Sequence, residues 1–197
     1  MGQATRLLPY LTTGKSYRAL IRFGIRTSTD DLEGETIETA PADHLSLEAI
    51  EAVLPEFLGR IHQIPPMYSA IQVQGKRLYQ LARSGQEIEV PSREVEILAL
   101  KILNWTMDPH PELELAIDCG TGTYIRALAR DLGDRLETGA TLAQLCRTRS
   151  SGFAIEQSLT IEEIQTQWQQ GENPLISPAI VLSHLPQIQL HETQVLG

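Results

Sequence analysis

One stretch of the sequence constrains the fold more than any other: an alternating strand that continues through a glycine turn into an amphipathic helix. Every second residue of Glu112–Cys119 is apolar, which predicts a strand with one buried face. Residues 120–123 interrupt the alternation with two glycines, and apolar residues then recur at helical spacing over residues 125–136. The sequence therefore predicts a strand, a tight turn and a helix whose N-cap is Thr123.

Three further segments have the pattern of strands. Residues 17–25 alternate between an apolar side and a side that carries arginines, and residues 142–149 form another strand-like run. Residues 95–105 are also strand-like and precede a proline-containing turn, so we expect them to form a hairpin with the strand at residues 112–119.

Helical signals lie between these strands. Residues 46–59 have apolar residues at helical spacing, with Ser46 as the predicted N-cap and a glycine as the stop, and residues 160–168 begin with a capping box. A short basic helix is predicted within residues 75–85, and an edge strand within residues 67–73. Strands interspersed with helices and at least one hairpin favour an α+β fold.

Composition excludes several classes of protein. The chain has 197 residues, of which 42% are hydrophobic, and it contains no apolar run of the roughly 20 residues that cross a bilayer. Its start does not resemble a secretory signal, so we expect a cytoplasmic protein. Five scattered histidines and two cysteines lack metal-ligand spacing, and no metal site is predicted. A net charge of −9 argues against non-specific coating of nucleic acid but permits a local basic cleft.

Several residues could carry chemistry, and each has a plain structural alternative. The glycine turn at residues 120–123 could bind a phosphate, although it lacks the P-loop lysine and a plain turn is favoured. Arg126 lies in the first turn of a helix, where the helix dipole is unfavourable to a cation, so it either meets an anion or covers apolar surface. Tyr17 is either a half-buried structural tyrosine or a platform for a base.

An aromatic and cationic segment follows the first predicted helix. Tyr68 and Tyr79 stand among Lys76, Arg77 and Arg83, a composition that RNA-binding proteins use for base stacking and backbone contacts. A solvated surface is the equally open alternative.

Seven segments in order resemble one family, the bacterial tRNA pseudouridine synthase B type, which isomerises the T-loop uridine. The matching segments are GQATR (residues 2–6), KSYRA (15–19), GIRTSTDDLEG (24–34), QIPPMYSA (63–70), GKRLYQLAR (75–83), GTGTYIRALARDLG (120–133) and LCRTR (145–149). The resemblance covers residues 2–155, and the combination is far more specific than any one segment.

The resemblance implies a mixed, largely antiparallel sheet, a flipped uridine, no cofactor, and a monomer whose insertion at residues 64–91 clamps the T-arm of tRNA. Tyr17 would stack on the extruded base and assist deprotonation at its C5. Arg126 would pair with the catalytic carboxylate, Leu145 would line the pocket, and Asp31 would lie near the target nucleotide. Contacts to RNA are expected from Asp31, Tyr68, Lys76, Arg77, Arg83 and Arg147.

The sequence departs from the family at its start. The family's nucleophilic aspartate lies in a Gly-x-Leu-Asp-Pro segment ahead of the GQATR motif, which here directly follows Met1. We therefore expect residues 1–178 to form the catalytic-type domain without its N-terminal part, and residues 179–197 to begin a shortened C-terminal RNA-binding domain. Arg126 would then have no acidic partner.

Three functions remain open on these residues. The chain is an RNA isomerase by family, a catalytically inactive tRNA-binding module, or, least favoured, a small-molecule phosphate binder that uses the turn at residues 120–123.

Overall fold

The fold divides into two units that come from different parts of the chain. The computed structural model describes residues 2–69, 72–73, 76–77, 90–186 and 188. Thr13–Ser150 form one unit, here called the sheet unit, and Met1–Thr12 with Ser151–Gly197 form the other, here called the terminal unit. The predicted division at residue 178 stays a prediction.

The sheet unit contains nine of the described strands and two α-helices. The strands are β1 (Lys15–Phe23), β2 (Ile25–Thr27), β3 (Thr36–Thr39), β4 (Gly59–Gln63), β5 (Gln72–Val73), β6 (Lys76–Arg77), β7 (Arg93–Thr106), β8 (Glu112–Cys119) and β9 (Ala140–Ser150). The helices are α1 (Leu47–Val53), which continues into a 3-10 turn at Leu54–Phe57, and α2 (Ile125–Arg135).

Five strands of this unit form one sheet in the order β9-β1-β8-β7-β4, and every neighbouring pair is antiparallel. The expected α+β, largely antiparallel fold is confirmed, as is the hairpin between β7 and β8. Among the described residues, parallel pairing is confined to an isolated bridge between Asp31 and Leu142. Two small ladders, β2 with β3 and β5 with β6, lie outside this sheet.

Alternation decides which face of the sheet is buried. On β1 the buried side chains are Ala19, Ile21 and Phe23, and on β8 every second residue from Leu113 to Cys119 is at most 1% exposed. The apolar stripe of α2 belongs to the same core. Gly133 permits this packing, because a Cβ at that position would lie 2.2 Å from the amide nitrogen of Ala140 at the start of β9.

Predicted element ends are confirmed at some positions and wrong at others. Ser46 caps α1 by accepting a hydrogen bond from the Ala49 amide at 3.2 Å. The predicted N-cap of α2 is wrong by one residue, because Tyr124 occupies that position while the Thr123 hydroxyl donates to the Gly120 carbonyl.

The predictions for the segment after β4 have a mixed outcome. Met67–Ser69 form bends where the sequence predicts an edge strand, whereas Gln72–Val73 are extended as β5. Residues 70 and 71 lie outside the described residues. Most of the basic helix predicted within residues 75–85 lies outside the described residues.

The terminal unit has short elements and little burial. It contains 3-10 helices at Gly2–Tyr10 and Ile155–Gln157, a two-residue strand β10 (Phe153–Ala154), and the α-helices α3 (Ile161–Gln169) and α4 (Pro178–Val181). The capping box predicted for α3 is confirmed: the Thr160 amide donates to Glu163, and the Glu163 amide donates to the Thr160 hydroxyl. Across the described part of both units, no helix is long and apolar enough to span a bilayer.

Candidate functional site

Two hollows in the sheet unit share the side chains of Arg126 and Leu145. The first hollow measures about 340 Å³ and is lined by Lys15, Tyr17, Gly122, Thr123, Tyr124, Ile125, Arg126 and Leu145. The second hollow measures about 320 Å³ and is lined by Asp31, Leu32, Glu33, Arg126, Leu142, Ala143, Gln144 and Leu145. Three predicted residues from β1, α2 and β9 thus meet at the first hollow, and Asp31 lies at the second.

Tyr17 lies on β1, which is paired with β8 on one side and with β9 on the other. It pairs with Ile117 of β8 and with Arg147 of β9, and its ring packs against the core. Burial raises the pKa of its phenol above the ordinary value of 10.0, the nearby Cys119 thiol adds to the rise, and a hydrogen bond from Arg147 offsets part of it. Tyr17 is therefore a neutral phenol at neutral pH.

Arg126 projects from the first turn of α2 into a cluster of acceptors. Its Nη1 donates to the Thr29 carbonyl at 3.1 Å and to Asp31 Oδ2 at 3.0 Å, and its Nη2 donates to the Tyr68 carbonyl at 2.9 Å. The expectation that Arg126 lacks an acidic partner is wrong. Asp31 supplies the anion that a cation at a helix N-terminus requires.

Asp31 belongs to a loop that is fastened to the start of β9. This segment, residues 27–34, is called the site loop below. Asp31 Oδ1 accepts hydrogen bonds from the Thr29 hydroxyl and the Glu33 amide. The Leu32 amide donates to the Leu142 carbonyl at 3.1 Å, and the Leu142 amide donates to the Asp30 carbonyl at the same distance. The loop is therefore part of the hydrogen-bonded framework, and its carboxylate has a fixed direction.

Arg130 is a charged residue near the site that sequence reasoning did not single out. Its Nη1 donates to Asp30 Oδ2 at 2.9 Å, its Nη2 donates to the Ile64 carbonyl at 2.8 Å, and both Nε and Nη2 contact Asp131 Oδ1. Burial raises the pKa values of both Asp30 and Asp131, and the Arg130 charge lowers them again in part. The sequence signal that could have identified Arg130 is its position one helical turn after Arg126, on the same face of the helix.

Gln63 is the second residue that sequence reasoning missed. It is 1% exposed, its Nε2 donates to the Tyr124 carbonyl at 3.1 Å, and its Oε1 accepts from the Tyr124 amide at 2.8 Å. Tyr124 is the N-cap of α2 but makes no side-chain cap of its own. Gln63 therefore fixes the N-terminus of the helix that carries Arg126. Its partner Tyr124 lies 61 residues away in the sequence, so no local sequence pattern predicts the contact.

The cations near the first hollow differ in their partners. Arg18 and Arg22 on β1 are paired with Glu114 and Glu112 of β8. Within the described residues, Lys15 and Arg147 form no ion pair with a carboxylate. Lys15, which lines the first hollow, is thus available to an anion that enters it.

The remaining predicted residues are placed only in part. Tyr68 contributes its carbonyl to Arg126. Lys76 and Arg77 lie on β6, and Arg83 is outside the described residues. In the turn at residues 120–123, the Gly120 amide already donates to the Glu96 carbonyl at 2.8 Å, which removes one donor from a phosphate site. The described residues hold no cluster of His, Cys, Asp and Glu that could bind a metal ion.

Comparison with family models identifies the chain. Residues 1–125 match the model of the TruB family pseudouridylate synthase (N terminal domain), and residues 126–182 match that of the tRNA pseudouridylate synthase B C-terminal domain. The chain belongs to the TruB family. The two matches meet between Ile125 and Arg126, inside α2.

Curated relatives of the TruB family show the same assignment. The chain is 57% identical over 192 residues to a protein named tRNA pseudouridine synthase B of Synechocystis sp., covering 97% of the chain and 65% of that relative. It is 53% identical over 190 residues to the protein of the same name from Nostoc sp., covering 96% of the chain and 65% of that relative. The chain thus spans about 65% of the length of these relatives.

Solved structures support the fold. The chain resembles a protein in the "Crystal Structure of a Cbf5-Nop10-Gar1 Complex" with a TM-score of 0.60 and 24% identity, over 85% of this chain and 41% of that one. It also resembles a chain in the "Structure of H/ACA RNP bound to a substrate RNA containing 2'-deoxyuridine" with a TM-score of 0.56 and 21% identity, over 85% of this chain and 39% of that one. At these identities the likeness concerns architecture.

Proposed function

We propose that this chain binds the T-arm of tRNA and receives a flipped uridine in the first hollow, as part of a tRNA pseudouridine synthase. The observation that carries the proposal is the meeting of Tyr17, Arg126 and Leu145 at one hollow in a chain of the TruB family. Uridine and pseudouridine are isomers, so the reaction only moves the glycosidic bond from N1 to C5 of the base. Because substrate and product have the same atoms and oxidation state, the reaction requires no oxidant, reductant or cofactor.

The side chains at the first hollow suit a flipped pyrimidine. The ring of Tyr17 offers a π-face for stacking, and Leu145 offers apolar contact; its side chain is 47% exposed and loses that exposure when a base covers it. A uridine within a stacked loop hides its glycosidic bond, so the base has to leave the stack before the bond can be changed. The hollow gives the extruded base a place to go.

Arg126 has capacity beyond its contacts to the site loop. A guanidinium carries five N–H donors. Three hydrogen bonds from Arg126 are made within the described residues, which leaves two donors for a further acceptor. We assign these donors to the nucleophilic carboxylate that the family resemblance implies, so that Arg126 would join this carboxylate to Asp31.

Recognition of RNA is assigned to a local basic region. Lys15 lines the first hollow, and Arg147 forms a hydrogen bond with Tyr17 of that hollow. Tyr68, Lys76, Arg77 and Arg83 belong to the predicted clamp at residues 64–91. Because the chain carries a net charge of −9, these cations have to act locally and binding should weaken as salt rises. The protein is proposed to act as a cytoplasmic monomer on tRNA.

Binding of a T-arm hairpin RNA tests the proposal. Tyr17→Leu removes the stacking ring, whereas Tyr17→Phe keeps it and serves as the matched control. Because stacking of a base on an aromatic ring contributes about 1–3 kcal/mol, Tyr17→Leu should weaken binding by roughly 5- to 150-fold and Tyr17→Phe by much less. Equal affinity of the wild-type chain for the hairpin and for an unstructured RNA of the same length would contradict the proposal.

A catalytically inactive tRNA-binding module is the second candidate. The observation in its favour is that the 197 residues contain no Gly-x-Leu-Asp-Pro segment. Incubation of the chain with the hairpin should therefore yield no pseudouridine, since loss of a nucleophile costs orders of magnitude in rate. Binding without product supports this candidate for the isolated chain, and detection of pseudouridine excludes it.

A further inference from the structure

Arg130 joins the same two segments as Arg126, one helical turn further along α2. Arg126 contacts the site loop at Thr29 and Asp31 and the following segment at Tyr68. Arg130 contacts the site loop at Asp30 and the following segment at Ile64. Residues four apart on a helix lie on one face, so the two arginines form a double connection between the site loop and residues 64–68.

We propose that Arg130 is a positioning residue that sets the base of the predicted RNA clamp against the site loop. The inference rests on the proposed function, because it takes residues 64–91 to be the segment that holds RNA. Ile64 is the first residue of that segment, and the site loop provides Asp31, Leu32 and Glu33 to the second hollow. An RNA held by the clamp is thereby placed in register with the two hollows.

The chemistry of arginine is required at this position. The Asp131 carboxylate binds the Nε and Nη2 edge of Arg130, which fixes the plane of the guanidinium. With that plane fixed, Nη1 points to Asp30 and Nη2 to the Ile64 carbonyl. A lysine keeps the charge but presents a single ammonium, so it cannot hold a fixed plane and reach both segments together.

Water and salt screen these contacts less than they screen surface ion pairs. The exposed fractions of the side chains are 22% for Arg130, 16% for Asp30 and 28% for Asp131. Asp30 also has a left-handed backbone, with φ of 61°, a conformation that aspartate and asparagine tolerate better than most residues. The backbone conformation at residue 30 thus directs the Asp30 carboxylate toward α2.

The same helix provides a matched control. Arg135 makes a two-contact ion pair with Glu56, at 2.8 Å for both contacts, and neither residue lines either hollow. Arg130→Lys and Arg135→Lys are therefore identical changes on one helix, each of which breaks a multi-contact arginine pair. Only the first change removes one of the two connections between the site loop and residues 64–68.

Two measurements on the full chain test the proposal. We expect Arg130→Lys to weaken binding of the T-arm hairpin by about tenfold or more while Arg135→Lys changes it by less than about twofold, both at a temperature where circular dichroism shows each variant folded. Amide hydrogen exchange should become faster in residues 27–34 and 64–69 together in Arg130→Lys and in neither segment in Arg135→Lys.

A second variant guards against a simple loss of folding. Asp30→Asn keeps the backbone conformation and removes the charge that Arg130 holds. If Arg130 acts by joining the segments, the effects of Arg130→Lys and Asp30→Asn on RNA affinity should be non-additive, with the double variant little worse than the worse single variant.

The outcomes distinguish this inference from the proposed function. If the wild-type chain does not bind the hairpin, the proposed function fails, and the exchange comparison still decides whether Arg130 couples the two segments. If the wild-type chain binds, and Arg130→Lys binds equally well with unchanged exchange in both segments, the positioning role is overturned.

Discussion

The sheet unit and the terminal unit use the same local signals but differ in what those signals achieve. Both contain capped helices, and the caps follow the same chemistry at Ser46 and Thr160. In the sheet unit the helices bury apolar residues such as Ile50 and Leu132. Among the described residues of the terminal unit from residue 5 onward, none is buried, and Ile161 on α3 is 72% exposed.

The difference teaches that capping and burial are separate requirements. A cap satisfies backbone donors at one helix end and is encoded within four residues. Burial needs partners from elsewhere in the chain, which in the sheet unit are β1, β8 and β9. The ion pairs recorded within the described residues also all lie in the sheet unit, where strand pairing brings opposite charges together.

The largest expected effect compares one substitution in both units. Ile117→Ala, at a position 1% exposed, should lower the free energy of unfolding by about 2–5 kcal/mol, since it leaves a cavity in the core. Ile161→Ala should change it by no more than about 0.5 kcal/mol. Trp105 lies in the sheet unit and Trp168 in the terminal unit, so the fluorescence of variants that keep one of the two tryptophans can follow the denaturant unfolding of each unit. Similar losses for both substitutions would show that α3 is buried in solution.

The core was predictable because its signals are periodic. The two-residue period of β8 identifies Leu113, Leu115 and Ile117 as one face, and the structure buries all three. Helix ends were predictable where a polar cap is adjacent, as at Thr160. The N-cap of α2 was missed because its stabilising side chain comes from another strand.

The second prediction concerns Gln63 of β4, the side chain that caps α2. Gln63→Leu keeps the side-chain size but leaves the Tyr124 amide without its partner, whereas the Tyr124 carbonyl still accepts the Leu128 amide at 3.1 Å. It should cost roughly 1–3 kcal/mol of stability, because a buried donor left unpaired costs about that much. Gln165→Leu, an exposed change of the same type on α3, should be nearly neutral. Equal stability of the two variants would mean that water replaces the bonds of Gln63.

The site was only partly predictable for the same reason. Tyr17, Arg126 and Leu145 were named through the family resemblance, and the structure brings them to one hollow. The pairing of Arg126 with Asp31 spans 95 residues, and that of Arg130 with Asp30 spans 100. No local period encodes contacts of this range, so charge partners emerge only when the loop is packed on the helix.

A smaller effect is expected for the cap in the terminal unit. Thr160→Ala removes the hydroxyl that accepts from the Glu163 amide and should weaken α3 by about 1 kcal/mol. Thr166→Ala is the control, because that hydroxyl donates to the Glu162 carbonyl within the helix and contributes little to its start. Amide exchange of Glu163 and Ile164 should rise in the first variant only. An equal rise in strands of the sheet unit would contradict the separation of the two units.

The smallest effect concerns the pKa values of carboxyl groups in the two units. Backbone and side-chain hydrogen bonds at Thr160 lower the pKa of Glu163 below its ordinary value of 4.5. In the sheet unit, burial raises the pKa values of Asp30 and Asp131 above 3.8 despite the charge of Arg130. Titration of the carboxyl carbons by NMR should therefore find a lowered pKa for Glu163 and raised pKa values for Asp30 and Asp131.

Because the pKa of Glu163 is lowered and those of Asp30 and Asp131 are raised, these groups contribute to stability in opposite ways as pH falls. Glu163 stabilises α3 above the pKa of an unfolded glutamate, and this contribution is lost as pH falls through its lower folded pKa. Asp30 and Asp131 bind protons in the folded chain at a pH where the unfolded chain does not, so protonation of these two groups favours the folded state. Replacing Asp131 with asparagine should therefore steepen the loss of stability of the sheet unit toward acid, whereas Glu163→Gln should flatten that of the terminal unit. If both substitutions changed the acid dependence in the same direction, burial would not be the cause of the raised pKa in the sheet unit, and the contrast between a buried charge cluster and an exposed cap would fail.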